Sequence, residues 1–307
     1  MKALWVAGLL AVASAVTIES RQLEMRAGQN QSAETQKLAL HENRTSSTDL
    51  ELSGDVSGSQ AYAGMYASYA DLLKLPQVTF TVTDDVNFPG KADLGGVSLE
   101  TVMKVLQVPD KNTLVAAHCE DGYEAHYTED YRAAHQPFLV LTINGEQPAL
   151  VKRSGEEGAY GPYLVSQPKF VPRYRVLSHN EEEQIPNGVI ELRFLNEDEV
   201  LNAIRPHGKF ADNSPQMEGY KIAKENCFRC HNEGSYGGDK AGITWAVLGK
   251  ISRKRPKFFR AYISNPQGQS DYAEMPGFPE YDDATLAALT AYFQTIAANP
   301  EQMPEHK

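Results

Sequence analysis

The sequence predicts two folded domains, a mixed α+β domain followed by an all-α domain. Its 307 residues are enough for two domains of ordinary size. Short apolar or alternating runs dominate from residue 62 to about residue 204, as in strands. From residue 212 onward, apolar residues recur at helical spacing instead. We therefore expect an α+β domain over residues 62–211 and an all-α domain over residues 212–307.

The local patterns place the main elements. Strands are predicted at residues 78–82, 114–117, 138–143 and 189–194. Candidate helix N-caps are Ser98, Ser214 with Pro215 at the first helical position, and Asp282 or Asp283 before the last apolar helix.

Composition and charge exclude several classes of protein. The chain has 29 basic and 40 acidic residues, a formal net charge of −11, whereas a nucleic-acid-binding protein needs a basic surface. Three cysteines are too few for a disulfide scaffold. Hydrophobic residues make up 41% of the chain, so most of it can bury a core.

The N-terminal segment resembles a processing signal. Lys2 precedes an apolar run over residues 3–13, and Ala13-Ser14-Ala15 is a small-residue cleavage site. We interpret residues 1–15 as a secretory signal peptide, because the run is too short to span a bilayer; a short N-terminal anchor is the alternative. This predicts a periplasmic or otherwise exported protein with no membrane span after cleavage.

The next segment, residues 16–61, is expected to be a flexible acidic linker. It is rich in Ser, Thr, Gln, Glu and Asn and contains no Phe, Tyr or Trp. Such a segment buries too little apolar area to offset the entropy of ordering the chain.

Residues 227–231 form the strongest motif, Cys227-Phe228-Arg229-Cys230-His231. The pattern C-x-x-C-H attaches a c-type haem: the two thiols add to the two vinyl groups, and the histidine becomes an axial ligand of the iron. A redox-active thiol pair and half of a zinc site are the alternatives. No second cysteine pair supports zinc, and no βαβ pattern supports a thioredoxin-like site. We expect one haem c per chain.

The second axial ligand must come from elsewhere in the chain. No histidine lies between His231 and Glu305, so a second histidine from this domain is excluded. Met275, in the segment Glu274-Met275-Pro276, offers a soft thioether suited to haem iron. Met217 and Met303 fit less well, and a five-coordinate iron with Met275 in the core is the remaining alternative.

At these residues the second domain resembles the class I cytochromes c. The matching pieces are Gly219-Tyr220 before the motif, residues 260–266, Met275-Pro276 and residues 289–293. The resemblance implies that Gly219 and Tyr292 pack where the first and last helices cross, and that His231 and Met275 are the axial ligands. Many members have a proline soon after C-x-x-C-H whose backbone carbonyl holds the histidine; here there is none before Pro256.

Residues 75–199 resemble the sulfite-oxidase-like molybdopterin-binding domain. The matching pieces are residues 94–99, 120–125, 138–148 and 161–165. In that family a cysteine before the first piece ligates molybdenum. The corresponding segment here, residues 79–93, contains Asp84-Asp85 and no cysteine. A carboxylate is a poor substitute for a thiolate, which argues against a molybdopterin cofactor.

Two further groups of residues have open interpretations. Cys119 lies near His118, His126 and His135, which is either a metal site or a small buried thiol among ordinary polar residues. The basic run over residues 253–257 is either a surface for an acidic redox partner or for haem propionates, or a solvated helix start.

The sequence therefore predicts an exported monohaem cytochrome that carries single electrons to and from a redox partner protein. Its first domain is expected to be a binding or docking module rather than a self-contained enzyme. The alternatives are a fused molybdenum-type oxidoreductase that passes substrate electrons to the haem, and a cytochrome subunit of a larger respiratory complex.

Overall fold

Nine strands form one mixed sheet in the part of the chain that the structure describes. The structure is a computed structural model that describes residues 37–54, 62–155, 158–168 and 184–296. The sheet order is β2-β1-β9-β8-β7-β4-β3, and β5 pairs with both β9 and β6. The strands are β1 (Leu50–Gly54), β2 (Tyr62–Ala67), β3 (Val78–Val82), β4 (Ala92–Ser98), β5 (Leu114–Cys119), β6 (Glu124–Tyr127), β7 (Phe138–Ile143), β8 (Tyr163–Ser166) and β9 (Asn187–Leu195).

In the described residues, four short α-helices lie between the strands or directly after the last one, and four longer α-helices follow them. The first four are α1 (Tyr69–Leu72), α2 (Leu99–Leu106), α3 (Glu129–His135) and α4 (Glu197–Ala203). The second four are α5 (Pro215–Asn226), α6 (Trp245–Lys254), α7 (Pro256–Ser264) and α8 (Asp283–Ile296). We call residues 38–204 the sheet region and residues 212–296 the helical region. The predicted succession of a mixed region and a helical region is confirmed.

The predicted helix starts are confirmed by their caps. The Ser98 hydroxyl accepts a hydrogen bond from the backbone N–H of Thr101 at 3.1 Å, and the Ser214 hydroxyl accepts one from Met217 at 3.3 Å. A carboxylate oxygen of Asp282 accepts one from Thr285 at 2.8 Å. Each cap satisfies an N–H group that has no partner inside its helix.

The prediction of a flexible linker over all of residues 16–61 is wrong. Strand β1 lies inside that range and pairs in parallel with β9 and antiparallel with β2. Leu50 and Leu52 are fully buried because they point to the core side of this strand. Two apolar residues at strand spacing are too short a signal to stand out in a polar segment. Residues 1–36 and 55–61, including the predicted signal peptide, lie outside the described residues.

The helical core extends into the sheet region. Leu114, Val200 and Ile204 belong to the same buried cluster as Trp245, Leu289 and other core residues of the helical region. The two regions therefore share apolar surface, and α4 leads directly into the helical core.

The first and last helices of the helical region cross at very short distance. A Cβ atom added at Gly219 on α5 would lie 2.1 Å from the backbone oxygen of Ala288 on α8 and 2.7 Å from the Cβ of Tyr292. The Tyr292 hydroxyl accepts a hydrogen bond from Trp245 Nε1 at 2.8 Å and donates one to the backbone oxygen of Ile204. Gly219 and Tyr292 pack as the resemblance to cytochromes c implied.

We predict that Gly219→Ala destabilises the protein by roughly 2 kcal/mol, because the new methyl group overlaps the α8 backbone. The overlap outweighs the gain of about 1 kcal/mol in helix propensity. Guanidinium unfolding of full-length variants measures this difference. Gly90→Ala is the matched control, because a Cβ there meets no atom within 4 Å. Equal stability of the two variants would contradict the close crossing.

Candidate functional site

The cysteine motif forms the turn that follows α5. The backbone N–H groups of Cys230 and His231 donate to the carbonyl of Cys227 at 3.1 and 3.0 Å, so residues 227–231 make one helical turn. Both thiols are free. One turn is the spacing that presents two side chains on one side of a helix.

Cys227, His231 and Met275 line one cleft of the helical region. The cleft encloses a cavity of about 170 Å³. Cys230 lies one turn along the motif and is half-buried. The rest of the lining is aliphatic and aromatic, and includes Ile243, Leu248, Ile251, Phe258, Phe259 and Tyr262.

A backbone carbonyl fixes the imidazole of His231. Its Nδ1 lies 2.7 Å from the carbonyl oxygen of Ile243, which accepts the Nδ1 proton. This contact leaves Nε2 as the free lone pair of a neutral imidazole, the form that ligates a metal. Burial lowers the pKa of His231, which also favours the neutral form. The sequence, which lacks the family's proline here, gave no indication that Ile243 supplies this carbonyl.

Backbone contacts hold the segment that carries Met275. The Gln267 side-chain amide donates to the carbonyl of Met275 at 2.9 Å and to that of Ala273 at 3.3 Å. Further along, the N–H of Phe278 donates to the carbonyl of Ile263 on α7 at 2.9 Å. The thioether of Met275 is thereby kept at the cleft although the segment has no regular secondary structure.

The thiols lack the electrostatics of a redox-active pair. Burial raises the pKa of Cys227 to about 12 and also raises that of Cys230, although the nearby charge of Arg229 acts in the opposite direction on both. Redox-active cysteine pairs have lowered thiol pKa values, roughly 3.5–7.5. Among the described residues, no group of three or more His, Cys, Asp or Glu side chains is arranged to hold a metal ion.

The sheet region contacts the cysteine motif directly. The backbone N–H of Glu124 donates to the carbonyl of Arg229 at 2.9 Å, and the Arg229 guanidinium donates to the Tyr123 hydroxyl at 2.9 Å. The His126 ring stacks on that of Phe228, with centroids 4.7 Å apart. Sequence reasoning missed these contacts, because residues more than 100 positions apart carry no local signal of their pairing.

A buried carboxylate lies at this contact. Glu124, on β6, is 1% exposed, and its oxygens lie 2.9 Å from His126 Nε2, 3.4 Å from His118 Nδ1 and 2.8 Å from an Arg193 nitrogen. Burial alone would raise the pKa of Glu124, but the hydrogen bonds from the two histidines and the charge of Arg193 hold it well below its usual range.

The proposed histidine and cysteine group is divided in the structure. His118 and His126 both contact Glu124, whereas His135 packs against Tyr131, with ring centroids 4.3 Å apart. Cys119 is 1% exposed in the sheet core, and burial raises its pKa well above the usual value. Cys119 therefore fits the interpretation as a small buried thiol.

Asp85 belongs to the pair Asp84-Asp85, which the resemblance to the sulfite-oxidase-like family places near that family's molybdenum-ligating cysteine. It is 3% exposed; one carboxylate oxygen accepts the Ser166 hydroxyl at 2.6 Å, and the other accepts the N–H of Asn87 at 2.9 Å. Burial raises the pKa of Asp85. Both oxygens are engaged within the protein, so these residues do not fit a molybdenum ligand set.

The basic run covers the end of α6 and the start of α7. Arg253, Lys254, Arg255 and Lys257 are exposed, and the next residue, Phe258, lines the cleft. Their exposure fits a docking surface and a solvated helix start equally well.

Comparison with known proteins identifies the helical region. Residues 214–293 match the family described as "Cytochrome C oxidase, cbb3-type, subunit III". The match places a cytochrome c domain at the C-terminal end, and such a domain implies a haem c, electron transfer and a redox partner. No curated protein matches the chain.

A solved structure is similar to part of the chain. It is the sulfane dehydrogenase SoxCD from Paracoccus pantotrophus, with 16% identity and a TM-score of 0.35. The match covers 50% of this chain and only 40% of the solved chain.

None of the helices in the described ranges combines the length and hydrophobicity needed to cross a bilayer.

We predict that Glu124→Gln lowers the free energy of unfolding by about 3 kcal/mol near pH 7, because Arg193 loses a buried counter-charge. The pKa of Glu124 is lowered in the folded state, so its contribution is present above the unfolded pKa of about 4.3 and is lost as the pH falls further. Urea unfolding at pH 7 and pH 3 should therefore show a gap between wild type and variant that narrows at the lower pH.

Glu146→Gln is the control, because Glu146 is exposed and should change stability little at either pH. A Glu124→Gln variant as stable as Glu146→Gln at pH 7 would show that the buried ion pair contributes nothing.

Proposed function

We propose that this protein is an exported monohaem cytochrome that passes single electrons between redox partners. In this proposal Cys227 and Cys230 attach the haem covalently, and His231 and Met275 ligate its iron. The observation that carries it is that a thiol and an imidazole from the motif and a thioether from a separate segment line one apolar cleft. A bound haem c supplies one-electron chemistry there.

The protein's own residues would set the conditions of that chemistry. Ile243 orients the His231 imidazole through its carbonyl, and Gln267 holds the Met275 segment. The aliphatic and aromatic lining excludes water, which is one of the means by which a protein controls the potential of a haem. Ligation by His and Met raises that potential.

We further propose that the sheet region binds no molybdopterin and serves as a docking module. Two observations support the absence of molybdopterin: residues 79–93 contain no cysteine, and both carboxylate oxygens of Asp85 accept hydrogen bonds within the protein. The apolar N-terminal run and its cleavage site support export.

A subunit role in a larger respiratory complex is the second candidate function. The description of the matched family, an oxidase subunit, favours it. The native mass of the protein, extracted from its source under non-denaturing conditions, distinguishes the two candidates. A free carrier has the mass of this chain, and a subunit has the mass of a larger complex.

The first test is the content of iron, molybdenum and covalent haem in full-length protein from an export-competent host with haem-attachment machinery. We expect one iron as covalent haem and no molybdenum per chain. About one molybdenum per chain would overturn the proposal for the sheet region, and absence of covalent haem would overturn the electron-carrier proposal.

The thioether linkages can be tested with single variants. Cys227→Ala and Cys230→Ala should each lose one covalent bond to the haem, which a pyridine haemochrome spectrum detects as a shift of the α band. Cys119→Ala is the matched control, because Cys119 is buried in the sheet core. A shifted spectrum for Cys119→Ala, or an unshifted one for the other two, would contradict the assignment.

The second ligand can be tested with Met275→Leu, which removes the sulfur and keeps the volume of the side chain. We expect covalent haem to be retained and the midpoint potential to fall, because the thioether stabilises ferrous iron. Met217→Leu, on α5, is the control and should leave both the spectrum and the potential unchanged. An unchanged potential for Met275→Leu would leave Met275 as a core residue.

A further inference from the structure

The sheet region covers one side of the cysteine motif through backbone contacts. Besides the bond from Glu124 to Arg229, the N–H groups of Asp239 and Lys240 donate to the carbonyl of Gly122 at 2.9 and 3.1 Å. Gly122 has a φ of +80°, and a Cβ there would lie 2.4 Å from an Asp239 oxygen. The turn over residues 120–123 is therefore fitted closely to the loop that follows the motif.

This turn fixes the side chain of Arg229, the residue between the two motif cysteines. Its Nη1 donates to the Tyr123 hydroxyl at 2.9 Å, and its Cζ lies 5.8 Å from the centroid of the Tyr123 ring. On the other side, Nη2 donates to the Asn226 side-chain oxygen at 2.6 Å and Nε to the Asn226 carbonyl at 3.3 Å. Contacts from both regions thus hold the guanidinium in one position.

Arg229 lies within the motif turn, directly before Cys230 and two residues after Cys227, the two residues to which a haem would be attached. Its charge is therefore held in the turn that would carry the haem. Burial raises the pKa of Tyr123 to about 12, so the hydroxyl that accepts from the guanidinium is neutral near pH 7. A guanidinium does not lose its proton in proteins, so this charge is permanent.

We propose that Arg229, positioned by Tyr123 of the sheet region, raises the midpoint potential of the haem attached at Cys227 and Cys230. Ferric haem carries one more positive charge than ferrous haem, so a fixed cation nearby favours the reduced form. The effect is strengthened because Arg229 is half-buried, where the effective dielectric constant is lower than in water. Tyr123 acts as a positioning residue, because it works through Arg229.

This inference rests on the proposed function and gives the sheet region a part in it. The region would adjust the driving force of electron transfer without holding a cofactor of its own. Any partner or ligand that moves the turn over residues 120–123 would then change the potential of the haem.

The test is a spectroelectrochemical titration of full-length haem-loaded protein, compared among wild type, Arg229→Gln, Arg229→Lys and Tyr123→Phe. Arg229→Gln should lower the midpoint potential enough to shift the equilibrium with a one-electron reference couple about tenfold, equivalent to about 59 mV. Arg229→Lys keeps the charge and should retain most of the potential. Tyr123→Phe should move it in the same direction as Arg229→Gln but less.

Lys91→Gln is the matched control, because it removes the same charge from a side chain that is 67% exposed; its potential should equal that of wild type. Raising the salt concentration should leave the difference between Arg229→Gln and wild type largely intact, because salt screens exposed charges much more than buried ones. Unchanged visible spectra verify that axial ligation is the same in all variants.

Two results would overturn the inference. One is a wild-type potential in Arg229→Gln; the other is a fall in Arg229→Lys as large as that in Arg229→Gln, because shape rather than charge would then be responsible. If Arg229→Gln does not accumulate with haem, the potential of Tyr123→Phe decides instead. An unchanged potential in Tyr123→Phe would overturn the role of Tyr123 in positioning Arg229. Covalent haem in the wild-type protein is measured first, so failure of the proposed function is recognised separately.

Discussion

The crossing of α5 and α8 at Gly219 is the contact on which the geometry of the cleft depends. Because backbone meets backbone there, with no room for a side chain, the axis of α5 is fixed relative to α8. Helix α5 ends at Asn226, and the motif begins at the next residue. Any shift of the crossing would therefore move the two thiols and the imidazole together.

The same crossing is linked to the rest of the molecule through Tyr292. This residue lies one turn after Ala288 on α8, and it bonds both Trp245 at the start of α6 and the carbonyl of Ile204. The N–H of Trp245 in turn donates to the carbonyl of Asn232, directly after the motif, at 2.7 Å. One buried phenol thus connects the helix crossing, the motif loop and the end of the sheet region.

What the sequence predicted and what it missed follow from the range of the interactions. Ser98, Ser214 and Asp282 cap helices through bonds to residues three positions away, so their roles are readable locally. Strand β1 and the acceptor for His231 depend instead on distant or backbone partners. The carbonyl of Ile243 can fill the place of a proline carbonyl because a backbone acceptor does not depend on side-chain identity.

The contact between the sheet region and the helical region includes buried polar groups as well as apolar ones. Gln184 is 1% exposed. Its side-chain amide donates to the backbone carbonyl of Glu225 at 3.0 Å, and its backbone carbonyl accepts the Tyr127 hydroxyl at 2.6 Å. The Tyr131 hydroxyl accepts the N–H of Gln184 at 3.0 Å and donates to Gln167 at 2.8 Å.

Glu225 lies in the last turn of α5, where backbone carbonyls have no partner inside the helix. The sheet region therefore supplies a hydrogen-bond donor to a backbone carbonyl at the end of the helix that precedes the motif. An apolar contact would tolerate sliding, whereas a buried hydrogen-bond network is stable in only one register, because each unpaired group would cost about 1–3 kcal/mol. The buried polar groups of the sheet region therefore bond the end of α5 and hold the C-x-x-C-H loop in one position.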